Sequence, residues 1–164
     1  MTTLRVRELT AEAFAAYGRT IAVPARGEDA SGPGWRWWAE MVSLPTDGRN
    51  YGVGYLALSG SPLRFDWAER HMRSVEVVVP LRGECLLYVG PAERPEEPAA
   101  IPELERFEVF RLRPGTGVAM DPGVWHGAPL SEGDSSAMVL LLEGTGANDV
   151  TVVRFEDDPV DVIV

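Results

Sequence analysis

The chain has 164 residues, 45% of them hydrophobic, which is enough to close a sizeable core and points to one domain over residues 1–164. A formal net charge of -10 and a sequence pI near 4.6 exclude a nucleic-acid backbone or an anionic membrane surface as partner, since both require clustered cations. No apolar run is long enough to cross a bilayer and the first residues form no signal-like apolar region, so a cytoplasmic protein is expected.

Residues 4–7 alternate and suit an edge strand. Residues 9–18 predict one short helix, with Thr10 as N-cap, Glu12 in the first turn and Gly18 as the left-handed C-terminal residue. A strand over residues 20–23 leads into a Gly/Pro/Asp loop over residues 24–34. Residues 35–42 are strand-like and place Trp35 and Trp37 on one face, either as core aromatics or as the wall of a pocket. Residues 51–58 and 63–67 predict strands parted by a turn at residues 59–62.

Residues 75–81 form a strand with Glu76, Val78 and Pro80 on one face and Val75, Val77 and Val79 on the other. If Glu76 points inward, the valines need a cover, from a second sheet of the chain or from a dimer partner. Arg82 and Gly83 predict a hairpin turn into residues 84–89, where the lone Cys85 reads as a buried, inert thiol. The Pro- and Glu-rich residues 90–102 form a surface loop. Strands follow at 107–112 and 118–120, then a fully buried one at 137–143 and an alternating one at 149–155, ahead of an acidic tail. About ten short strands and one helix make an all-β fold, an antiparallel barrel or double-sheet jelly roll.

Both histidines fall in conspicuous settings. Glu69, His71 and Glu76 have the spacing E-x-H-x4-E, followed six residues later by Gly83, and Pro122-Gly123 turns the chain just ahead of Trp125 and His126. Alternate strand residues share a face, so Glu69, His71, Glu76 and His126 can converge on one divalent transition ion, Mn, Fe, Ni, Co or Zn. Glu69 is also suited to orienting His71 or pairing with Arg70 or Arg73. The chain contains no lysine, so any cationic contact to an anionic small molecule falls to arginine.

These two segments resemble the paired motifs of the cupin superfamily, and within it the chain resembles the ureidoglycolate lyase family. The similarity runs from Leu9-Thr10 and Tyr17-Gly18 through Glu69-Arg70-His71 and Pro80-Leu81-Arg82-Gly83 to Gly117-Val118, Val124-Trp125-His126 and Pro129-Leu130. The resemblance implies a cupin-type jelly-roll barrel, a homodimer, and cleavage of ureidoglycolate to glyoxylate and urea in the breakdown of allantoin. It implies no organic cofactor and a small anionic substrate, with His71, Glu76 and His126 catalytic and Arg70, Arg73, Trp125 and Asp121 as substrate contacts. The family pattern has Gln where Glu76 stands, a His near Asp121 and a second His where Gly127 stands. Those departures keep two other readings open: another metal-dependent cupin enzyme acting on a small hydroxy acid, and a non-catalytic cupin that binds a small acid.

Overall fold

A computed structural model describes residues 2–60, 62–142 and 149–164. Ser61, inside the expected turn, and Glu143, the expected last residue of its strand, lie outside the described residues. In chain order the strands are β1 (Thr3–Glu8), β2 (Gly18–Ile21), β3 (Ala30–Gly32), β4 (Trp35–Trp37), β5 (Tyr51–Leu58), β6 (Arg64–Phe65), β7 (Trp67–His71) and β8 (Glu76–Arg82). They continue as β9 (Cys85–Gly90), β10 (Glu108–Leu112), β11 (Gly117–Met120), β12 (Trp125–His126), β13 (Ser135–Leu142), β14 (Val150–Arg154) and β15 (Val160–Ile163), with one α-helical turn, α1 (Ala11–Phe14).

From β7 to β14 the chain passes repeatedly between a five-stranded sheet, β2-β11-β8-β13-β5, and an eight-stranded sheet, β14-β7-β12-β9-β10-β1-β15-β6. This is the all-β, double-sheet jelly roll expected. Between the sheets lies a core that includes Phe14, Val78, Leu87, Phe110, Val118 and Ala137. The eight-stranded sheet is buried on its other face too. Only Asp66 separates β6 from β7, although they lie near opposite ends of that sheet, so the sheet curls back on itself around Phe65, Tyr88, Phe107, Trp125 and Val160. Phe65 stacks on Tyr88 with ring centroids 3.9 Å apart.

Several expectations are corrected. The strands on either side of Gly83 are not a hairpin, because β8 pairs with β11 and β13 in one sheet while β9 pairs with β10 and β12 in the other. Gly83 makes the crossing at φ 68, where a Cβ would lie 2.9 Å from the Asp134 carbonyl oxygen. β1 is not an edge strand; it runs parallel between β10 and β15, a strand the acidic tail concealed. The helix ends at Phe14. Thr10 does cap it, accepting from the Ala13 N–H at 3.1 Å, but Gly18 opens β2, where a Cβ would overlap the Ala119 carbonyl.

Trp35 and Trp37 sit in a separate β3–β4 ribbon and stay 53% and 59% exposed, so they are not core aromatics. β13 is half-buried over residues 138–141 rather than fully buried. The valine face of β8 is covered from within the chain. Val42 and Leu44, in an irregular segment, pack on Val75, Val77 and Ala119.

Candidate active site

Alternation along β7 turns Glu69 and His71 toward the space between the sheets and sends Ala68 and Arg70 to the opposite face. β12 does the same with His126 and Trp125, and its register sets His126 directly across from Glu69. The turn ahead of β12 is tied to β7, since the Gly123 N–H donates to the His71 carbonyl at 2.7 Å. Glu76, the first residue of β8, faces these groups from the other sheet.

Glu76 Oε2 lies 3.1 Å from His126 Nε2 and 3.3 Å from His71 Nε2, with the two imidazole centroids 5.6 Å apart. His126 Nδ1–H donates to the Val124 carbonyl at 2.9 Å, which fixes Nε2 as the nitrogen presented to the site. His71 Nδ1 is buried with no hydrogen-bond partner among the described residues. Glu69, His71 and His126 each offer a ligand atom within 4.8 Å of the others.

Two ring nitrogens aimed at one carboxylate oxygen require protons between them or a shared cation. The donor set fits a cation: two imidazoles and one carboxylate lie near enough to bind at about 2.0 to 2.2 Å once their side chains draw in. Glu69, His71 and His126 could therefore hold a metal ion, with Glu76 facing it from the other sheet.

Electrostatics bind the pair of sheets at the same point. Burial favours neutral Glu76, but the His126 charge, hydrogen bonds from both histidines and the His71 charge outweigh it and hold its carboxyl well below the usual carboxylate range. Burial likewise favours neutral His126, yet the Glu76 charge and hydrogen bond, with help from the Val124 carbonyl and Glu69, raise its pKa to about 9.

Of the four expected substrate contacts, Arg70, Trp125 and Asp121 are directed away from the cluster. Arg70 is fully buried behind β7, where its guanidinium donates to the carbonyls of Glu93 (2.7 Å), Glu97 (2.8 Å), Pro98 (3.1 Å) and Arg94 (3.2 Å). It also lies 4.6 Å over the Trp125 ring, so the neighbours of the two histidines stack on each other on the far side of the sheet. Asp121 is exposed and 3.7 Å from Arg19. Arg73 is exposed, two residues beyond His71, and Asp149 accepts from its backbone N–H at 2.7 Å and its Nε at 3.2 Å.

Sequence reasoning missed the Arg70 clamp on the loop over residues 93–98, although strict alternation from His71 would have sent Arg70 outward. It also missed why Gly127 is glycine. The Tyr88 hydroxyl, which donates to the Trp67 carbonyl at 3.0 Å, fills the place a Cβ would take. Cys85 is buried as expected, and burial pushes its thiol up to about 11. A surface cavity of about 430 Å³ lined by Thr10, Thr20, Pro24, Arg26 and Glu40 includes neither histidine, and its Arg26 is already held by Asp29.

A family model described as Ureidoglycolate lyase matches residues 1–162. No curated protein matches the chain. Among solved structures, a variant of the 3,4-ketoisomerase QdtA from Thermoanaerobacterium thermosaccharolyticum, in complex with TDP-4-keto-6-deoxyglucose, is 19% identical with a TM-score of 0.43, over 61% of this chain and 64% of that one. The oxalate decarboxylase formate complex of Lactobacillus farciminis is 7% identical with a TM-score of 0.42, over 68% of this chain and 28% of that one. The matched region thus spans less than two thirds of either of those proteins.

Proposed function

The chain belongs to the ureidoglycolate lyase family, a family of lyases, and from that premise we propose that it cleaves ureidoglycolate to glyoxylate and urea between His71, Glu76 and His126. The observation that carries the reading is the approach of Glu76 Oε2 to both histidine Nε2 atoms within 3.3 Å, from opposite sheets. We also propose that residues 1–164 form one catalytic domain, that it works as a cytoplasmic homodimer, and that its reaction serves the breakdown of allantoin.

Ureidoglycolate carries a hydroxyl and a ureido nitrogen on one carbon. Cleavage takes the hydroxyl proton, turns that O–H pair into the C=O bond of glyoxylate, sends the C–N pair to nitrogen and protonates the departing urea. Glu76, held ionised, takes the hydroxyl proton and, as the carboxylic acid, returns it to the departing nitrogen; with no cation bound, His126 Nε2–H, with its raised pKa, is the acid instead. A carboxylate whose pKa is depressed is a weak base. A divalent cation on Glu69, His71 and His126, with Mn, Ni, Fe, Co or Zn as candidates, would compensate by lowering the pKa of the substrate hydroxyl. Arg73 takes the substrate carboxylate.

The test is glyoxylate release from racemic ureidoglycolate by purified protein, with and without a chelator and with each metal restored. Turnover that stops at half the substrate is expected, and it should be absent from His126→Ala. No release with any of the metals would overturn the assignment, and full activity in a folded His126→Ala variant would remove that residue from it.

A further inference from the structure

Glu76 has unlike neighbours on its two sides. On one side the β11 ladder pairs it with Met120, and one row deeper Val78 faces Val118; these three apolar side chains are buried in the core. On the other side, the pairing of β13 with β8, carried one residue past Leu140 and Val77, puts Leu141 beside Glu76 and leaves Val139 beside Val78. Leu141 and Val139 point to the same interior face and yet are only half-buried.

The next strand supplies the reason. β5 sets Gly52 across from Leu141 and Gly54 across from Val139, so no side chain of β5 covers either one. The result is a cavity of about 370 Å³ lined by Gly52, Val53, Gly54, Val139, Leu141 and Leu142, with no charged group among them. Neither Glu76 nor a histidine lines it; the register alone sets Leu141 and Gly52 in one row with Glu76.

We infer that this wall receives the uncharged end of the ligand, and that Gly52 and Gly54 set how large that end can be. The inference rests on the Glu76–histidine cluster being the reacting centre. β5 is two strand spacings from β8, roughly 10 Å, so a small acid reacting at Glu76 lays its distal group over Leu141 and toward Gly52. A charged distal group there would be desolvated against apolar side chains with no partner. The class that fits is a 2-hydroxy acid whose nitrogen bears a compact neutral carbamoyl or acyl group.

Two substitutions test this without strain. A Cβ at Gly52 would lie 3.7 Å from the Leu141 carbonyl oxygen and one at Gly54 3.6 Å from that of Val139, both ordinary contacts, and neither glycine has a positive φ. Gly52→Ala and Gly54→Val should therefore fold and melt at or above the wild-type temperature, as strand positions favour side chains over glycine. With metal supplied, KM for ureidoglycolate should rise about tenfold or more in Gly54→Val while kcat changes less. Tyr55→Ala, on the opposite and exposed face of β5, should leave both unchanged.

An unaltered KM in both glycine variants would overturn the inference while leaving the lyase reading intact. Absence of turnover by the wild type would instead defeat the lyase reading. The wall is then judged by calorimetric titration with oxalurate, the ureido acid bearing a keto carbon in place of the carbinol. Weaker binding by Gly54→Val than by wild type supports the wall, and equal affinity or no binding to either overturns it.

Discussion

Arg70→Met is the perturbation that best separates a structural arginine from a substrate contact. The guanidinium is fully buried, donates to four carbonyls between residues 93 and 98, and rests on Trp125. Burial lowers its pKa, and the Glu96 charge only partly opposes this, so the cation is held by dipoles rather than by a buried counter-ion. Each charge-assisted hydrogen bond is worth about 1.5 to 3 kcal/mol before the cost of desolvating the cation, which cancels much of the sum. Methionine keeps most of the packing volume but leaves the carbonyls without donors. The expected loss is about 3 to 5 kcal/mol, the scale of breaking a buried charged contact from one side. For a chain of this size that lowers the thermal midpoint by roughly 10 °C or more. Arg70→Lys, with the charge but no planar fork, should lose about half as much. Thermal unfolding by circular dichroism gives the midpoints, and lyase kinetics well below them give KM. A loss under about 1 kcal/mol, against the figure just argued, would refute the clamp. So would an Arg70→Lys protein of normal stability whose KM alone rises, since that pattern belongs to a residue touching substrate.

Glu76→Gln should lower kcat by roughly 10² to 10⁴ and bring the His126 pKa down from about 9 toward its ordinary 6.5, followed by NMR of the imidazole; an unmoved pKa would break their coupling. The metal-free protein should show the matching pH dependence of stability. The His126 contribution is complete below 6.5 and fades as pH rises through about 9, by at most on the order of 3 kcal/mol, while the Glu76 contribution is present above about 4.5 and is lost on acidification. Urea midpoints that stay flat from pH 6 to 9.5 would contradict the shift. Gly127→Ala should cost about 1 to 3 kcal/mol by displacing the Tyr88 hydroxyl. Tyr88→Phe in the same chain should recover part of that, and strictly additive losses in urea denaturation would show that the two positions do not touch.

How far the fold could be read depended on which force placed each strand. Strands marked by period-2 alternation and turn residues, such as β5, β8 and β10, fall close to their expected ranges. Their partners do not follow from the same signal. Arg82-Gly83 reads as a hairpin because a glycine between two apolar runs serves equally well to reverse the chain within one sheet or to carry it across to another. The choice is made by long-range pairing of β8 with β13 and of β9 with β10. β15 was hidden for a related reason. Its four residues follow an acidic turn and become a strand only through β1 and β6, which lie far away in sequence.

The site was more legible than the fold, because a chain with only two histidines leaves few ways to form a cluster. The spacing from Glu69 to Glu76 places its first and last members on consecutive strands of different sheets, which is why they can face each other. Proximity in sequence misled at Arg70, Trp125 and Asp121, each next to or near a cluster residue and each directed elsewhere. In β7 and β12 this is a consequence of the same alternation that builds the cluster. Once His71 and His126 face inward, Arg70 and Trp125 must face outward, and there they stack at 4.6 Å. The dipeptides Arg70-His71 and Trp125-His126 thus encode both sides of the sheet, one residue of each forming the cluster and the other joining the two strands behind it.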